Sequence, residues 1–337
     1  MKKFYFALIF FSFSVIALAQ QEAQFTQNMF TNMLTNPGYA GINKQICITT
    51  LFRQQWTGFT DTYYKNNDPN TSLISHKGAP QTILLSIDGP IRALRGGIGL
   101  SVFSDKLGFE SNLGVKLAYA YHQPISIGVL GIGVQVGFLN KSIDFSGFNP
   151  IDPSDPLLVS KTKQTSFITD VAAGLFYNIP GKAYVGISSS QLIQGKIKIE
   201  NSQKSTLKRH YYLTGAYHWT IPGAPDWELS PYVLIKTDFA SAQYDVTAMA
   251  KWKNMVWAGI SYRVQDALGI IIGAYPFNQP TMKPALQQLK IGYSYDITTS
   301  ALGKSKRSSG THEVMLGYCF KIVINPKITK YINTRFL

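Results

Sequence analysis

The chain of 337 residues is poor in cysteine and in acidic residues, and it has no long apolar run after its first twenty residues. Two cysteines, Cys47 and Cys319, are too few for the disulfide framework of a small secreted domain. Only 18 acidic residues oppose 32 basic ones, which gives a formal net charge of +14. Because no later run approaches the roughly 18 apolar residues of a transmembrane helix, the sequence predicts none.

The amino terminus, MKKFYFALIFFSFSVIALAQ, predicts a cleaved secretory signal peptide over residues 1–19. It has the basic head, the apolar run and the A-x-A cleavage signature of such a segment. Removal of Lys2 and Lys3 would lower the net charge from +14 to +12. We therefore expect an exported protein, in which residues 20–45 form a periplasmic plug or cap and residues 46–337 form the main domain.

Alternation of apolar and polar residues recurs through most of the chain. In "NLGVKLAYAYH", for example, Leu113, Val115 and Leu117 share one face, and Gly114 and Lys116 share the other. This period of two is typical of β-strands with one apolar face. About fourteen such segments occur, with starts near residues 46, 81, 96, 109, 126, 166, 182, 208, 228, 243, 254, 267, 286 and 311.

The strands fit either a soluble β-sandwich or a barrel in the outer membrane, and two features favour the barrel. Many segments run for about ten residues, the length of a tilted strand that crosses a bilayer. Long polar connections (57–80, 140–165, 191–207 and 297–310) follow odd strands, whereas mostly short turns follow even strands. The sequence thus predicts an all-β fold, a closed antiparallel outer-membrane barrel with a short amino-terminal helical segment, at whose crowded lumen Gly131, Gly133 and Gly137 lie.

An ordered set of motifs resembles the PorP/SprF family of type IX secretion membrane proteins from Bacteroidetes. The set comprises "QEAQFTQNMFTNMLTNPGYAG", "ITTLFRQQWTGF", "APQTILLSIDGPI", "DKLGFESNLGVKLAYAYH", "GLFYN" with "YVGIS", "GISYRVQDALGIIIGAY", "IGYSYDITTS", "GTHEVMLGYCF" and the final "NTRFL". Two positions depart from the family pattern: Gly38 stands where the family corner typically has Ala, and Thr311 where Ser is usual.

The resemblance implies a non-enzymatic outer-membrane component of the type IX secretion or gliding apparatus. As partners it implies machinery components and a large secreted adhesin or its C-terminal sorting domain. A passive channel for hydrophobic or small solutes, similar to the fatty-acid-channel family, is the alternative, and a generic porin is a third. The inward face predicted here is polar and rich in glycine, which suits an apolar solute poorly.

The amino-terminal segment predicts a short amphipathic stretch, because Phe25, Met29, Phe30 and Met33 recur at helical spacing. It would plug the barrel, dock a periplasmic partner, or simply cap the lower mouth. Three residues of the corner after it, Asn36, Pro37 and Gly41, would end that stretch and aim the chain into the first strand. Trp56 is predicted to anchor the far end of that strand at the lipid interface.

Charged residues on the inward face predict pairing across the lumen. Opposite charges there would either line an open pore or close it, and we favour closure. In the motif with His312 and Glu313, the two side chains point to opposite faces. The inward set comprises Arg53, Lys116, Asp170, Lys236, Asp238, Lys290, Asp296 and Glu313.

Basic residues concentrate in the long connections. They would contact the phosphates of lipopolysaccharide or an acidic secreted partner, or form only a solvated rim. A surface position argues against nucleic acid as a partner, so outer-membrane lipid and lipopolysaccharide remain the expected contacts. The residues are Lys196, Lys198, Lys204, Lys208, Arg209, Lys304, Lys306 and Arg307.

Cys47 and Cys319 fall on the inward face of the first and last strands, which pair to close a barrel. An oxidising periplasm would allow a disulfide that locks this closure. The five histidines form no metal-binding or catalytic motif. We therefore predict no enzyme activity, no metal and no cofactor.

Overall fold

The computed structural model describes residues 23–64, 73–76, 78–147, 162–197, 205–278, 281–283, 286–300 and 308–320. The predicted signal peptide, residues 1–19, lies outside the described residues. Among the residues in these ranges, no helix is long and apolar enough to cross a membrane.

Fourteen antiparallel strands form one closed barrel, as the alternation predicts. The first and last strands pair with each other, and every other strand pairs with its two neighbours along the chain. The eighth strand consists of two consecutive segments that both pair with the ninth. In chain order the strands are β1 (Ile46–Gln54), β2 (Gln81–Ile91), β3 (Gly96–Leu107), β4 (Glu110–Ile125), β5 (Gly128–Asp144), β6 (Lys163–Ile179), β7 (Ala183–Ser190), β8 (His210–Tyr217 with Trp219–Ile221), β9 (Ala224–Thr237), β10 (Ala242–Trp252), β11 (Val256–Arg263), β12 (Ala267–Ala274), β13 (Lys290–Thr298) and β14 (Thr311–Phe320).

The predicted faces of the strands are observed, except at Asp238, which lies beyond the end of β9 in a turn and accepts from the N–H groups of Ala240 and Ser241. On β4, Leu113 and Leu117 are exposed on the outer surface, whereas Lys116 and Ala118 are buried inside. Successive side chains of a strand point to opposite faces, so the outer surface becomes apolar and the lumen polar. This is the reverse of a soluble sandwich, and it matches a barrel whose outer surface faces lipid.

The two ends of the barrel differ in their connections. At one end, here called the loop end, long connections follow β1, β5, β7 and β13. The strands β4 to β6, with 16 or 17 residues each, rise furthest towards this end. At the other end, here called the turn end, the connections after β2, β4, β6, β8 and β10 are short, and only the one after β12 is long. Two small hairpins lie in the loops, Asp61–Tyr64 with Leu73–His76 and Lys196–Ile197 with Ser205–Thr206.

The segment before β1, residues 23–45, lies inside the barrel and is called the plug here. It forms three short helical turns, Asn28–Phe30, Asn32–Thr35 and Pro37–Tyr39, and not the single amphipathic stretch that its spacing indicates. The plug runs from the loop end, where Gln24 meets β10, to the turn end, where Gly41 meets β2 and β3. Its apolar side chains pack on apolar side chains of the lumen wall and complete the core.

Candidate functional site

The plug turns sharply at the sequence NPGYAG, and the side chain of Asn36 holds this corner. Its amide donates to the carbonyl oxygens of Leu175 (3.0 Å) and Ile187 (3.3 Å), and its oxygen accepts from the N–H of Gly38 (2.9 Å). Pro37 supplies the preset φ that suits the first position of the following helical turn. One buried amide thus binds the plug to β6 and β7 at the same time.

Glycines let the plug backbone approach the wall closely. A Cβ at Gly38 would lie 2.7 Å from the carbonyl oxygen of Gly131, and a Cβ at Gly133 would lie 2.3 Å from the nitrogen of Gly38. Gly41 adopts a φ of 67°, and its N–H donates to Asp88 at 3.0 Å. Only glycine allows backbones to come so near each other. The expected glycine-lined, crowded lumen is therefore present at this corner.

A second contact fixes the start of the plug through buried charges, and we call it the latch. Arg53 on β1 bonds to Glu313 on β14 (2.9 Å) and to Asp296 on β13 (3.0 Å). The carboxylate of Glu313 also accepts from the backbone N–H groups of Thr26 (3.0 Å) and Gln27 (2.8 Å). The hydroxyl of Thr26 bonds to both oxygens of Asp296, at 2.7 and 2.6 Å.

The latch is fully withdrawn from solvent. The exposed fraction of the side chain is 2% for Arg53 and 0% for Glu313. Burial of a charge is costly unless opposite charge and hydrogen bonds compensate it. Because plug N–H groups supply part of that compensation, removal of the plug would leave buried carboxylates with fewer partners. His312, the neighbour of Glu313, faces outwards and bonds to the hydroxyl of Tyr293 (2.7 Å), as the alternation predicts.

A second arginine extends the latch towards the loop end. Arg263 on β11 bonds to Asp245 on β10 (3.1 Å) and to Asp266 (3.1 Å), and it lies 3.8 Å from Asp296. Sequence reasoning missed Arg263 and Asp245, although both have the inward parity of their strands. The signal was present in "QYDVTAMA" and "GISYRVQD", where each charge alternates with outward apolar residues.

Apolar contacts support the plug between these polar anchors. Phe25, Met29 and Met33 are buried, and the ring of Phe30 lies 5.7 Å from that of Trp257. The ammonium of Lys290 lies 4.6 Å above the ring of Phe30, at the distance of a cation–π interaction. All four aromatic and methionine residues named from the helical spacing therefore face the lumen wall.

Tyr39 closes the plug near the turn end. Its ring packs on that of Phe176 at 5.2 Å, and its hydroxyl accepts from the amide of Asn43 at 2.7 Å. Burial raises the pKa of Tyr39 above its usual value, and the carboxylate of Asp88 raises it further. The phenol therefore stays neutral.

A cavity of about 640 Å³ occupies the lumen at the loop end, above the latch. The plug contributes Ala23, Gln24 and Leu34 to its lining. Trp56 also lines it and packs on Phe59 at 6.2 Å. We expected Trp56 at the lipid interface. It lies two positions after the end of β1, where its backbone has a φ of 49°, and its side chain lines the cavity.

A disulfide joins Cys47 and Cys319, which stand directly opposite each other on β1 and β14. Their Cα atoms are 4.0 Å apart. The seam at which the barrel closes is therefore covalently joined near the turn end.

A model of the PorP/SprF family, described as type IX secretion system membrane protein PorP/SprF, matches residues 17–318. The chain belongs to the PorP/SprF family. Among solved structures it is similar to the KdgM porin, with 10% identity, a TM-score of 0.35, and coverage of 81% of this chain and 99% of the porin. It is also similar to BamA from Haemophilus ducreyi lacking POTRA domains 1–3, with 9% identity, a TM-score of 0.40 and coverage of 81% and 70%. Curated proteins yielded no match.

This PorP/SprF member carries exposed basic residues at the loop end. Lys196, Lys208 and Arg209 are exposed, and the side chain of Arg209 donates to the carbonyl of Leu192 at 3.1 Å. The remaining basic residues of the predicted set, Lys198, Lys204, Lys304, Lys306 and Arg307, lie outside the described residues.

The charged groups of the lumen described above bind the plug. In the described part of the chain, no group of three or more His, Cys, Asp or Glu side chains is arranged to hold a metal ion. The carboxylates Asp296 and Glu313 accept hydrogen bonds from the plug and from Arg53. The arrangement binds a peptide segment, and in this chain that segment is its own amino-terminal plug.

Proposed function

We propose that the mature protein is an outer-membrane component of the type IX secretion or gliding machinery, and that it assists the export or surface attachment of a large secreted adhesin. Residues 1–19 would be removed on export. The loop end would face the outside, because bacterial outer-membrane barrels have long extracellular loops and short periplasmic turns. The barrel would contribute binding and no catalysis.

The observation that carries this proposal is the filled lumen of a chain in this family. The plug is anchored by Asn36 at one end and by the latch at the other, and apolar contacts fill the space between. A folded or extended adhesin needs a much wider path than such a lumen offers. The plug therefore supports an accessory role, in which the adhesin crosses the membrane through another protein and this barrel binds it before or after that step.

The charges of the surface fit the expected partners. Lys196, Lys208 and Arg209 at the loop end would contact lipopolysaccharide phosphates or an acidic part of the adhesin. The turn end would face the periplasmic components of the machinery. A channel for apolar solutes finds less support, since the inward face carries buried charges such as Arg53 and Arg263.

A comparison of surface and culture-fluid proteomes tests the proposal. It would use the parent strain, a deletion of this gene, and the deletion complemented with the wild-type chain. We expect one large adhesin to disappear from the surface of the deletion strain and to return on complementation. Uptake of an apolar solute, measured in the same strains, serves as the control. An unchanged surface with impaired uptake would overturn the proposal and favour the solute channel.

A further inference from the structure

The loop-end cavity has the size and lining of a binding site. Its volume of about 640 Å³ lies within the range of pockets that hold drug-sized ligands, roughly 300–1,000 Å³. Such pockets combine apolar walls with a few placed polar groups. Both are present here, and the lining comes from the plug as well as from both sides of the barrel wall.

The lining is suited to a peptide. Six carboxamide side chains line the cavity, and groups of this kind carry both donors and acceptors that can pair with a peptide backbone. Aliphatic and aromatic side chains alternate with them, so a ligand needs apolar side chains as well as amides. A saccharide would leave the aliphatic wall without a matching surface. The carboxamides are Gln24, Gln55, Asn112, Gln191, Gln243 and Gln265, and the apolar residues include Leu34, Trp56, Phe103, Leu107, Leu139, Ile197, Leu207 and Val264.

The charges of the lining favour a cation. Four acidic residues, Asp105, Glu110, Asp170 and Asp266, line the cavity against two lysines, Lys116 and Lys141. Among the described residues, Asp105 is bonded to the hydroxyl of Thr82 at 2.6 Å and forms no ion pair. Glu110 is already paired with Lys141, and Asp266 with Arg263. Asp105 is therefore a carboxylate in the lining with which an incoming cation can pair.

The wall of the cavity also contains a buried hydrogen-bond acceptor without a donor in the described part of the chain, the side-chain oxygen of Asn112. The amide nitrogen of Asn112 donates to Glu110 at 2.7 Å, while its oxygen is buried and has no partner among the described residues. A buried carbonyl oxygen without a partner costs free energy, which a donor from a ligand would recover. Asn112 and Asp105 face each other in register on β4 and β3. The two groups therefore form one polar spot on the wall.

We propose that the loop-end cavity binds a short cationic peptide segment with apolar side chains, and that Asp105 and Asn112 are its polar contacts. The inference rests on the proposed function in one respect: the loop end faces the cell exterior, so the segment would enter the cavity from there. The lysine or arginine of the segment pairs with Asp105, a backbone N–H reaches Asn112, and an apolar side chain lies against Phe103 and Trp56.

A chain of hydrogen bonds and ion pairs connects this cavity to the latch. Gln24 and Gln243, both in the lining, exchange amide hydrogen bonds of 2.7 and 3.2 Å. Gln243 also donates to Asp245 (3.2 Å), which bonds to Arg263 (3.1 Å). Arg263 lies 3.8 Å from Asp296, a member of the latch. A bound peptide therefore buries the start of the plug further and protects it.

The test uses the purified mature chain in detergent micelles and two synthetic probes, acetyl-Lys-Leu-Lys-amide and acetyl-Glu-Leu-Glu-amide. Isothermal titration calorimetry gives the Kd of each. We expect the cationic probe to bind at least about tenfold more tightly than the acidic one. Asp105→Asn should weaken the cationic probe by about tenfold, since it removes a charge-assisted hydrogen bond. Asp226→Asn, at the turn end, is the matched control and should leave the Kd unchanged.

Hydrogen–deuterium exchange provides the second readout. With the cationic probe bound, amides of residues 24–30 should exchange more slowly, while those of the turn end stay as they were. Equal affinity for both probes, no binding of either, or an unaffected Kd in folded Asp105→Asn protein would overturn the inference. If the wild-type chain binds neither probe but its deletion still removes the adhesin from the surface, the inference fails and the proposed function stands. If the chain binds the cationic probe but its deletion leaves the surface adhesins unchanged, the proposed function fails and the inference stands.

Discussion

Removal of the seam disulfide should lower the stability of the barrel substantially. Cys47 and Cys319 are separated by 272 positions, so the bond closes most of the chain into one loop. The loop-entropy relation gives about 5.6 kcal/mol for a loop of this length near room temperature. Measured losses are commonly about 2–4 kcal/mol. We therefore expect the free energy of unfolding to fall by at least about 2 kcal/mol when the bond is absent.

Three variants test this expectation: Cys47→Ser, Cys319→Ser and the double variant. Each breaks the same bond, so all three should lose the same free energy of unfolding. Urea unfolding in detergent micelles, followed by the shift of the folded barrel on an unheated SDS gel, gives the midpoint and slope. Reduction of the wild-type protein under denaturing conditions, followed by refolding with the thiols blocked, should reproduce the variants.

The oxidation state needs its own measurement. In the folded wild type, an alkylating reagent should label neither cysteine without prior reduction, and the unreduced denatured chain should migrate as a compact closed loop. Labelling of both thiols without reduction would show that the disulfide is absent. An intact disulfide whose loss changes stability by less than about 1 kcal/mol would refute the entropic argument itself.

Three further substitutions test the plug. Arg53→Met should destabilise the folded barrel by about 3–5 kcal/mol in urea unfolding, because two buried carboxylates lose their counter-charge; an unchanged midpoint would contradict the latch. Gly38→Ala should speed amide exchange in the plug but not in the strands, since its Cβ would lie 2.7 Å from a carbonyl oxygen. Gly215→Ala is its control, because the nearest atom there is 3.4 Å away. Asn36→Ala should cost about 1–3 kcal/mol, as buried backbone groups lose their partner, and a loss below that range would argue against its anchoring role.

Period-two alternation predicts most of the barrel but not the depth of its residues. It places Arg53, Glu313 and Cys47 on the inward face, as the structure has them. Alternation cannot say which inward residues share a level, because that depends on the register of all fourteen strands together. The pairing of Arg263 with Asp245 follows from that register, and so it was missed.

The plug could be placed only in part. Its apolar residues at helical spacing indicate a helix, yet the observed turns are short and broken. A segment of this length has little intrinsic helical stability in water, so its shape is set by what it packs against. The same holds for Trp56, whose position depends on one left-handed residue conformation that no periodicity reports.

The structure explains why glycine suits position 38, where the family corner typically has alanine. The wall opposite it is itself glycine, at Gly131 and Gly133, and the backbones meet without any side chain between them. A side chain at Gly38 would need the wall to move by a few tenths of an ångström or more. At the same corner, the Asn36 amide bonds to backbone carbonyl groups of two strands.

Closure of the barrel and insertion of the plug are linked at the same seam. In the register of β1 and β14, Cys47 stands opposite Cys319 and Arg53 opposite Glu313. The disulfide thus joins the seam near the turn end, and the Arg53–Glu313 pair joins it near the loop end. Because Glu313 also binds the plug backbone, the second fastening is complete only when the plug is in place. With the plug in place, the seam between the first and last strands is held by a disulfide and by a buried ion pair, and we expect it to resist opening.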